Sequence, residues 1–300
     1  MPVKPQRLKP GDLIGVCSPA GPVEEEDLRP GINALESLGY RVYLSPHCLM
    51  KKDYLAGADK HRLRDLQDLF QDDRVKAIVC ARGGYGSLRL LGGIDFDLIR
   101  KHPKILVGYS DISALLLAIY KHAHLVTIHG PVLRDMTKNQ GLNLGFLTKL
   151  MTSRESVTMR FEGVKVLRKG VAAGRVLGGN LSLITHLLGT RFMPSLRGAL
   201  LFLEERGEAL YRVDRMLTHL RLSGLLKTCA GIMTGSFEDC GEPTALEALI
   251  KERLGDLPVP LMSGLPIGHG KVNTALPIGV RAVLDTRQKT LTLSEACVKA

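Results

Sequence analysis

The sequence contains no tryptophan, and aromatic residues make up only 5% of its 300 residues. Proteins that bind single-stranded nucleic acid stack the bases on aromatic rings, and this composition makes such a platform hard to build. The net charge of +11 would attract polyanions, yet Lys and Arg are spread along the chain with no run of five or more. We therefore expect no nucleic-acid partner. We interpret the charge as a general positive surface, which could also favour an acidic ligand.

Long apolar runs are missing as well. No segment approaches the roughly 20 successive apolar residues that a membrane-spanning helix needs, so we expect no membrane partner. The opening residues, MPVKPQRLKPGDLIGV, lack the apolar core and small-residue cleavage site of a signal peptide. We expect a cytoplasmic protein.

Paired cysteine motifs are also missing. No C-x-x-C occurs among the six cysteines, which lie at positions 17, 48, 80, 229, 240 and 297. Together with the missing signal peptide, this spacing favours free thiols in a reducing compartment. The sequence has no H-E-x-x-H and no clustered set of Cys and His residues, so we expect neither a metal site nor a cofactor.

Apolar strand patterns alternate with helical patterns through the first half of the chain. Strands are predicted at 12–17, 41–44, 75–80 and 104–107, and helices at 24–38 and 59–70. This alternation predicts an α/β fold with a mostly parallel sheet covered by helices. Polar and charged residues interrupt it at 136–170, where we place a boundary between domains at 1–150 and 170–300. The second half is also α/β but less regular, with apolar runs at 198–203, 230–233 and near 280–293.

Ser110 lies between a strand pattern and a helix pattern in KILVGYSDISALLLAIYKH, residues 104–122. Backbone N–H groups at the start of a helix are unpaired, so a serine there is exposed and the next amide can stabilise an oxyanion. The arrangement is that of a nucleophile elbow, although G-x-S-x-G would need Gly where Ile112 stands. A simpler interpretation, in which Ser110 only caps the helix, stays open because N-cap serines are common.

His269 and Glu204 are candidates for the base and the acid that a serine nucleophile needs. His269 lies between Gly268 and Gly270, in an open loop that suits a side chain facing a cleft. Glu204 is the first charge after the apolar run 201–203, and ligand sites of α/β folds gather at the carboxyl ends of strands. A turn histidine and a solvated glutamate are the alternatives.

A glycine-rich loop, ARGGYGS at 81–87, follows the third predicted strand. It does not match G-x-G-x-x-G, because Arg89 stands where Gly is required, and no G-x-x-x-x-G-K-[ST] occurs. These failed spacings disfavour a nucleotide-binding enzyme. We interpret the loop as a source of backbone N–H groups near Ser110, with the guanidinium of Arg82 beside them. A plain tight turn is the alternative.

Eight segments, taken in order, resemble those of the LD-carboxypeptidases, a serine peptidase family that also includes the microcin-immunity peptidases. They are LKPGDLIGVCSPAG (8–21), ARGGYGSLRLL (81–91), GYSDISALL (108–116), HGPVL (129–133), GRVLGGNLSLI (174–184), LFLEERGEALYRVDRML (201–217), GIMTGSF (231–237) and GLPIGHGKVNTALPIGV (264–280). The resemblance covers nearly the whole chain. It implies an N-terminal α/β domain, a smaller strand-rich C-terminal α/β domain and, commonly, a homodimer.

The resemblance also implies which residues act. The family's nucleophile falls on Ser110, its acid on Glu204 and its base on His269. The family's usual substrate is a muropeptide tetrapeptide, which loses its C-terminal D-alanine during peptidoglycan recycling. We expect that reaction here, through a Ser-His-Glu triad and an acyl-enzyme.

Further site residues are expected around the nucleophile. The resemblance implies an oxyanion hole made by the amide of Asp111 and one from Gly83 or Gly84, and we expect Arg82 to meet the carboxylate of the D-alanine. A microcin-immunity peptidase acting on a peptidyl or aminoacyl adenylate is one alternative. Those enzymes often stack Trp on the nucleobase, and this chain has none. A non-catalytic ligand-binding protein of the same fold is another, and the three intact triad positions argue against it.

Overall fold

The computed structural model of the chain describes residues 2–299, apart from the side chain of residue 140, and the strands form two sheets. The strands are β1 (Leu13–Cys17), β2 (Arg41–Leu44), β3 (Val75–Cys80), β4 (Ile105–Gly108), β5 (Thr127–His129), β6 (Thr158–Arg160), β7 (Lys165–Arg168), β8 (Val171–Asn180), β9 (Ala199–Arg206), β10 (Gly231–Glu238), β11 (Leu261–Ser263), β12 (Leu276–Ile278), β13 (Arg281–Asp285) and β14 (Thr290–Leu293). The α-helices are α1 (Glu25–Ser37), α2 (Asp59–Gln71), α3 (Phe96–Lys101), α4 (Ser113–Ala123), α5 (Leu142–Thr152), α6 (Leu181–Leu187), α7 (Leu210–Leu222) and α8 (Pro243–Leu254).

The first sheet has the strand order β12-β5-β4-β3-β1-β2. Strands β1 to β5 are parallel, and β12 pairs antiparallel with β5. The predicted mostly parallel sheet is confirmed, since β2 and β3 have the predicted bounds and β1 and β4 differ from them by one residue. In a sheet of this order, ligands gather outside the carboxyl ends of the strands near β1 and β3.

The second sheet has the strand order β6-β14-β13-β8-β9-β10-β11-β7. Its central strands β8 to β11 are parallel, and its outer strands pair antiparallel. Helices α6, α7 and α8 connect the parallel strands in turn. The C-terminal half is therefore α/β and rich in strands, as predicted.

Three short strands do not follow the predicted division into domains at 1–150 and 170–300. Strands β6 and β7 lie in the segment between those two ranges, yet both pair in the second sheet. Strand β12 lies in the C-terminal range but pairs with β5 of the first sheet. Backbone hydrogen bonds thus tie the two halves together, and the division into two domains stays a prediction.

Buried apolar side chains cover both faces of both sheets. Along β3, Ile78 and Val79 belong to different hydrophobic clusters, and along β9 the same is true of Leu201 and Phe202. Since neighbouring residues of a strand point to opposite faces, each sheet is packed on both sides. This double burial explains why these strands read as continuous apolar runs rather than as alternating patterns.

The cysteines are all free and buried. Burial raises the pKa of Cys229 to about 12 and that of Cys48 to about 11, so both remain thiols at neutral pH. Across residues 2–299, no helix combines the length and the apolar character that crossing a bilayer requires. The same residues contain no group of three or more His, Cys, Asp or Glu side chains arranged to hold a metal ion.

Candidate active site

Ser110 lies in a sharp turn after β4. Its φ of +64° is in the left-handed region, which costs a residue with a side chain roughly 1–2 kcal/mol. It begins a 3-10 turn, Ser110–Ile112, that leads into α4. The turn is tight enough that a Cβ on Gly108 would lie 2.6 Å from Cγ2 of Ile112. The N-cap positions of the 3-10 turn and of α4 are Tyr109 and Ile112, and neither makes a side-chain capping bond. The hydroxyl of Ser110 bonds to His269 instead, so the interpretation of Ser110 as only a helix cap is wrong.

His269 joins this serine to a buried carboxylate. Its Nε2 lies 3.0 Å from Oγ of Ser110, and its Nδ1 lies 2.6 Å from Oε2 of Glu204. The His269 side chain is 8% exposed and that of Glu204 is fully buried, and the ring of Tyr109 packs against the imidazole at 4.8 Å between centroids. A carboxylate at this distance accepts the hydrogen of Nδ1, which leaves Nε2 free to accept the serine O–H.

Gly268 lets the histidine loop, which runs from β11 to β12, approach Glu204. Its φ is +110°, and its N–H donates to Oδ1 of Asn273 at 3.0 Å. A Cβ at this position would lie 2.7 Å from Oε2 of Glu204 and 2.9 Å from its Cβ. The backbone therefore needs glycine here for its conformation and for its distance from the carboxylate.

Gly268→Ala is expected to lower turnover by about 10²-fold, because displacing the carboxylate by even 1 Å misplaces the imidazole. Gly264→Ala is the matched control, since Gly264 has a φ of +81° in the same loop but nothing within 4 Å of an added Cβ. Each variant should lose roughly 1–2 kcal/mol of unfolding free energy from backbone strain. Denaturant unfolding and turnover, measured together, check this; equal activity losses in the two variants would contradict it.

Glu204 and Glu205 have different surroundings although they are adjacent on β9. Burial raises the pKa of Glu204, but His129 and His269 outweigh it and lower the pKa from 4.5 to about 2. Glu205 accepts hydrogen bonds from the N–H and Oγ of Ser182 at 2.8 and 2.7 Å, and burial raises its pKa. Glu204 is thus the carboxylate that faces the histidine and stays ionised.

The glycine loop after β3 packs against the serine turn. A Cβ on Gly83 would lie 3.0 Å from Cβ of Ser110 and 3.2 Å from its Oγ, so the backbone there passes directly beside the serine. The Gly83 carbonyl accepts from the N–H of Gly21 at 3.1 Å. Within residues 2–299, the N–H groups of Gly83 and Gly84 donate to no acceptor, which leaves them available to a bound group.

Asp111 connects the same loop to the serine turn. Its buried carboxylate accepts the N–H of Ser87 at 2.8 Å. Burial raises the pKa of Asp111, and its bonds to Ser87 and Gly86 offset part of that rise. Arg82 is the second residue of the loop, and its Nη1 donates to the carbonyl of Pro22 at 2.7 Å, which holds the guanidinium at the cavity wall.

A cavity of about 370 Å³ opens above these groups. The predicted site residues in its lining are Ser110, His269, Arg82, Gly83, Gly84 and Asp111, while Glu204 lies behind His269 and outside the lining. Other charged and polar residues of the lining were not predicted as site residues: Tyr109, Arg134, Asp135, Lys138, Asn180, Ser182, Glu205, Arg206 and Glu208. They come from separate segments of the chain, so no local spacing could have grouped them.

Comparison with known families decides the class of this site. Residues 14–130 match the model of the LD-carboxypeptidase N-terminal domain, and residues 173–284 match that of the LD-carboxypeptidase C-terminal domain. The chain belongs to the LD-carboxypeptidase family. It is therefore a serine-type carboxypeptidase, and the resemblance noted in the sequence is confirmed.

Relatives of this LD-carboxypeptidase have two kinds of names. A probable murein peptide carboxypeptidase of Bacillus subtilis is 40% identical, over 96% of this chain and 93% of its own length. The microcin C7 self-immunity protein MccF of Escherichia coli is 28% identical, over 96% of this chain and 94% of its own. The crystal structure of a muramoyltetrapeptide carboxypeptidase from Oxalobacter formigenes is 30% identical, with a TM-score of 0.84 over 96% of this chain and 100% of that one.

Proposed function

We propose that this enzyme releases the C-terminal D-alanine from muropeptide tetrapeptides. The observation that carries the proposal is the hydrogen-bonded chain from Ser110 through His269 to Glu204 at the base of a cavity. The names of the relatives from Bacillus subtilis and Oxalobacter formigenes support this substrate class. A role in peptidoglycan recycling in the cytoplasm is part of the same proposal.

In this mechanism Ser110 is the nucleophile, His269 the general base and Glu204 the residue that orients it. Nε2 of His269 takes the hydroxyl proton as Oγ attacks the carbonyl carbon before the D-alanine. The C–N bond then breaks, and His269 gives the proton to the leaving amine. Water, deprotonated by the same imidazole, hydrolyses the acyl-enzyme and frees Ser110. Ionised Glu204 stabilises the imidazolium that forms in each step.

Backbone amides stabilise the negative charge that develops on the substrate oxygen. We assign this role to the N–H of Asp111 and to that of Gly83 or Gly84, because both segments pass beside Ser110. Donors of this kind are worth about 10²–10³-fold in turnover each. The bond between the Asp111 carboxylate and Ser87 keeps the two donor segments in one arrangement.

D-alanine release from a purified muramoyl-tetrapeptide tests the function directly. The matched control is the same tetrapeptide with L-alanine at its C-terminus, which keeps the charge and size of the leaving group and changes only its configuration. We expect release from the first substrate alone. No release from either, by enzyme whose serine still reacts with a phosphonate, would exclude a muropeptide substrate of this kind.

Arg82 is proposed to hold the carboxylate of the D-alanine. Within the part of the chain that the structure describes, Arg82 makes one hydrogen bond, from Nη1 to the carbonyl of Pro22. A guanidinium has five N–H donors in all, so the others can bind a carboxylate. Arg82→Ala should raise KM for the tetrapeptide about 10–100-fold, as expected for losing a hydrogen bond to a charged group, while kcat changes less. Arg206→Ala is the matched control in the same cavity. A higher KM in Arg206→Ala, with KM unchanged in Arg82→Ala, would indicate that Arg206 binds the substrate carboxylate instead.

The second candidate substrate is a peptidyl or aminoacyl adenylate. It is supported by the similarity to MccF, the microcin C7 self-immunity protein, and disfavoured by the absence of Trp for stacking on a nucleobase. The same triad would act on it. Comparing kcat/KM for an aminoacyl sulfamoyl adenosine and for the tetrapeptide distinguishes the two; a higher value for the adenosine compound would favour the second candidate.

We also propose a homodimer, on the family resemblance alone. Sedimentation equilibrium measures this assembly state. A particle of 32.8 kDa, the mass of one chain, would contradict it.

A further inference from the structure

His129 is a fully buried histidine beside the proposed triad. It is the last residue of β5, paired with Gly108 on one side and with Leu276 on the other. Its Nε2 lies 3.9 Å from Oε1 of Glu204, the carboxylate oxygen that His269 does not contact. Two imidazoles therefore flank one buried carboxylate, and the catalytic scheme above uses only one of them.

The polar atoms in this contact have no other partners. Among residues 2–299, neither Oε1 of Glu204 nor either ring nitrogen of His129 makes a hydrogen bond. Leaving a buried polar atom without a partner destabilises the folded protein, and the cost is larger for a charged group. If Nε2 of His129 and Oε1 of Glu204 moved closer together, a hydrogen bond between them would give both atoms a partner.

The length of the gap favours a direct bond. At 3.9 Å the two atoms are farther apart than the 2.7–3.2 Å of an N–H···O bond. They are also too close for a bridging water, since two bonds of about 2.8 Å at a tetrahedral angle span about 4.5 Å. A shift of about 1 Å within the site produces the direct bond.

The surroundings confine the His129 ring beside Glu204. The ring of Phe202 lies edge-on at 5.2 Å between centroids, and that of Tyr109 at 6.0 Å. The backbone of Gly179 also passes close to the ring, since a Cβ built there would be in van der Waals contact with Cδ2 of His129 at 3.6 Å. Apolar and aromatic groups thus hold the ring, and the carboxylate is the charged group it faces.

We infer that His129 is a positioning residue, which donates its Nε2–H to Oε1 of Glu204 and so aims the other oxygen at His269. The neutral tautomer with hydrogen on Nε2 supplies this donor and avoids a second, unpaired donor at Nδ1. The bond fixes the carboxylate plane and opposes protonation of Glu204, which burial alone would favour. The inference rests on the proposed triad, because it assigns His129 an effect on Ser110 through Glu204 and His269.

The test compares His129→Met with His129→Gln. Methionine has a similar length without a donor, whereas the glutamine amide places an N–H near the Nε2 position. The readout is the rate at which a fluorophosphonate labels Ser110, which depends on the triad and not on the muropeptide. We expect His129→Met to be labelled about 10–100-fold more slowly, as for loss of a hydrogen bond to a charged group, and His129→Gln to keep most of the wild-type rate. For D-alanine release, the loss should appear in kcat and not in KM.

Thr127→Val is the matched control, since Thr127 lies two residues earlier on β5, is buried and bonds to the carbonyl of Leu116. It should lose stability without loss of labelling. Wild-type labelling of His129→Met, or equal slowing in the Met and Gln variants, would overturn the inference. Heteronuclear NMR of the wild-type histidine nitrogens tests it without a variant: a proton on Nδ1 of His129 would also overturn it. Absence of labelling in the wild type would instead contradict the proposed triad itself.

Discussion

Ser110→Ala is expected to reduce D-alanine release from muramoyl-tetrapeptide by about 10⁴–10⁶-fold, as removal of a serine nucleophile does in other serine peptidases. The physical reason is that no other hydroxyl lies within hydrogen-bonding distance of Nε2 of His269 in residues 2–299. KM should change little, because the cavity walls remain. Release is measured by stopped time courses at saturating substrate, and phosphonate labelling should disappear in the same variant.

Ser113→Ala is the control for local damage. Ser113 lies three residues further along, is fully buried, and its Oγ accepts the backbone N–H of Asn180 at 3.0 Å. Its loss should cost about 1–3 kcal/mol of stability and leave activity within about tenfold of the wild type. Comparable activity losses in Ser110→Ala and Ser113→Ala would show that the turn, and not the hydroxyl of Ser110, matters.

Glu204→Gln should lower kcat by about 10³–10⁴-fold, because an amide next to Nδ1 favours the wrong imidazole tautomer and cannot stabilise the imidazolium. The carboxylate is ionised throughout the working range, since its pKa is about 2. Gln has nearly the same shape, so the fold should persist. Melting temperature and kcat, measured on one preparation, separate the catalytic effect from a structural one.

Glu205→Gln is the matched control for that variant. Glu205 is the next residue and is buried, but it accepts from Ser182 and from Nδ2 of Asn180 and does not contact His269. We expect its loss of kcat to be at least 10²-fold smaller than that of Glu204→Gln. The opposite order of the two effects would mean that the acid of the triad has been assigned to the wrong glutamate.

Strands β1, β3 and β4 of the first sheet could be predicted because burial on both faces demands continuous apolar residues between turns. Strands β6, β7 and β12 were not predicted, since they have three or four residues and lie at or near sheet edges, where such runs are not required. Their pairing is also non-local, as β12 joins a strand more than a hundred residues earlier. Short strands of this kind are placed by the partner that they meet, which no local pattern encodes.

Local sequence patterns also could not decide which of two adjacent carboxylates, Glu204 or Glu205, contacts the histidine. Adjacent residues of a strand point to opposite faces of the sheet, so Glu204 and Glu205 do as well. The apolar run before them is buried on both faces, because Leu201 belongs to one hydrophobic cluster and Phe202 to the other. The only local argument for Glu204 was that it is the first charged residue after the apolar run 201–203. The approach of the histidine loop to one face is what distinguishes the two carboxylates.

By itself the sequence determined the α/β class, the strand-to-helix turn that presents Ser110 and the glycines that let His269 face a cleft, because each depends on conformations of neighbouring residues. The tertiary structure decided which distant groups meet there: the glycine loop beside Ser110, the bonding of Glu204 and the burial of His129 behind it. His129 lies in a three-residue strand with no pattern around it. Its position matters only because the two sheets, built from both halves of the chain, pack against each other through shared hydrophobic clusters.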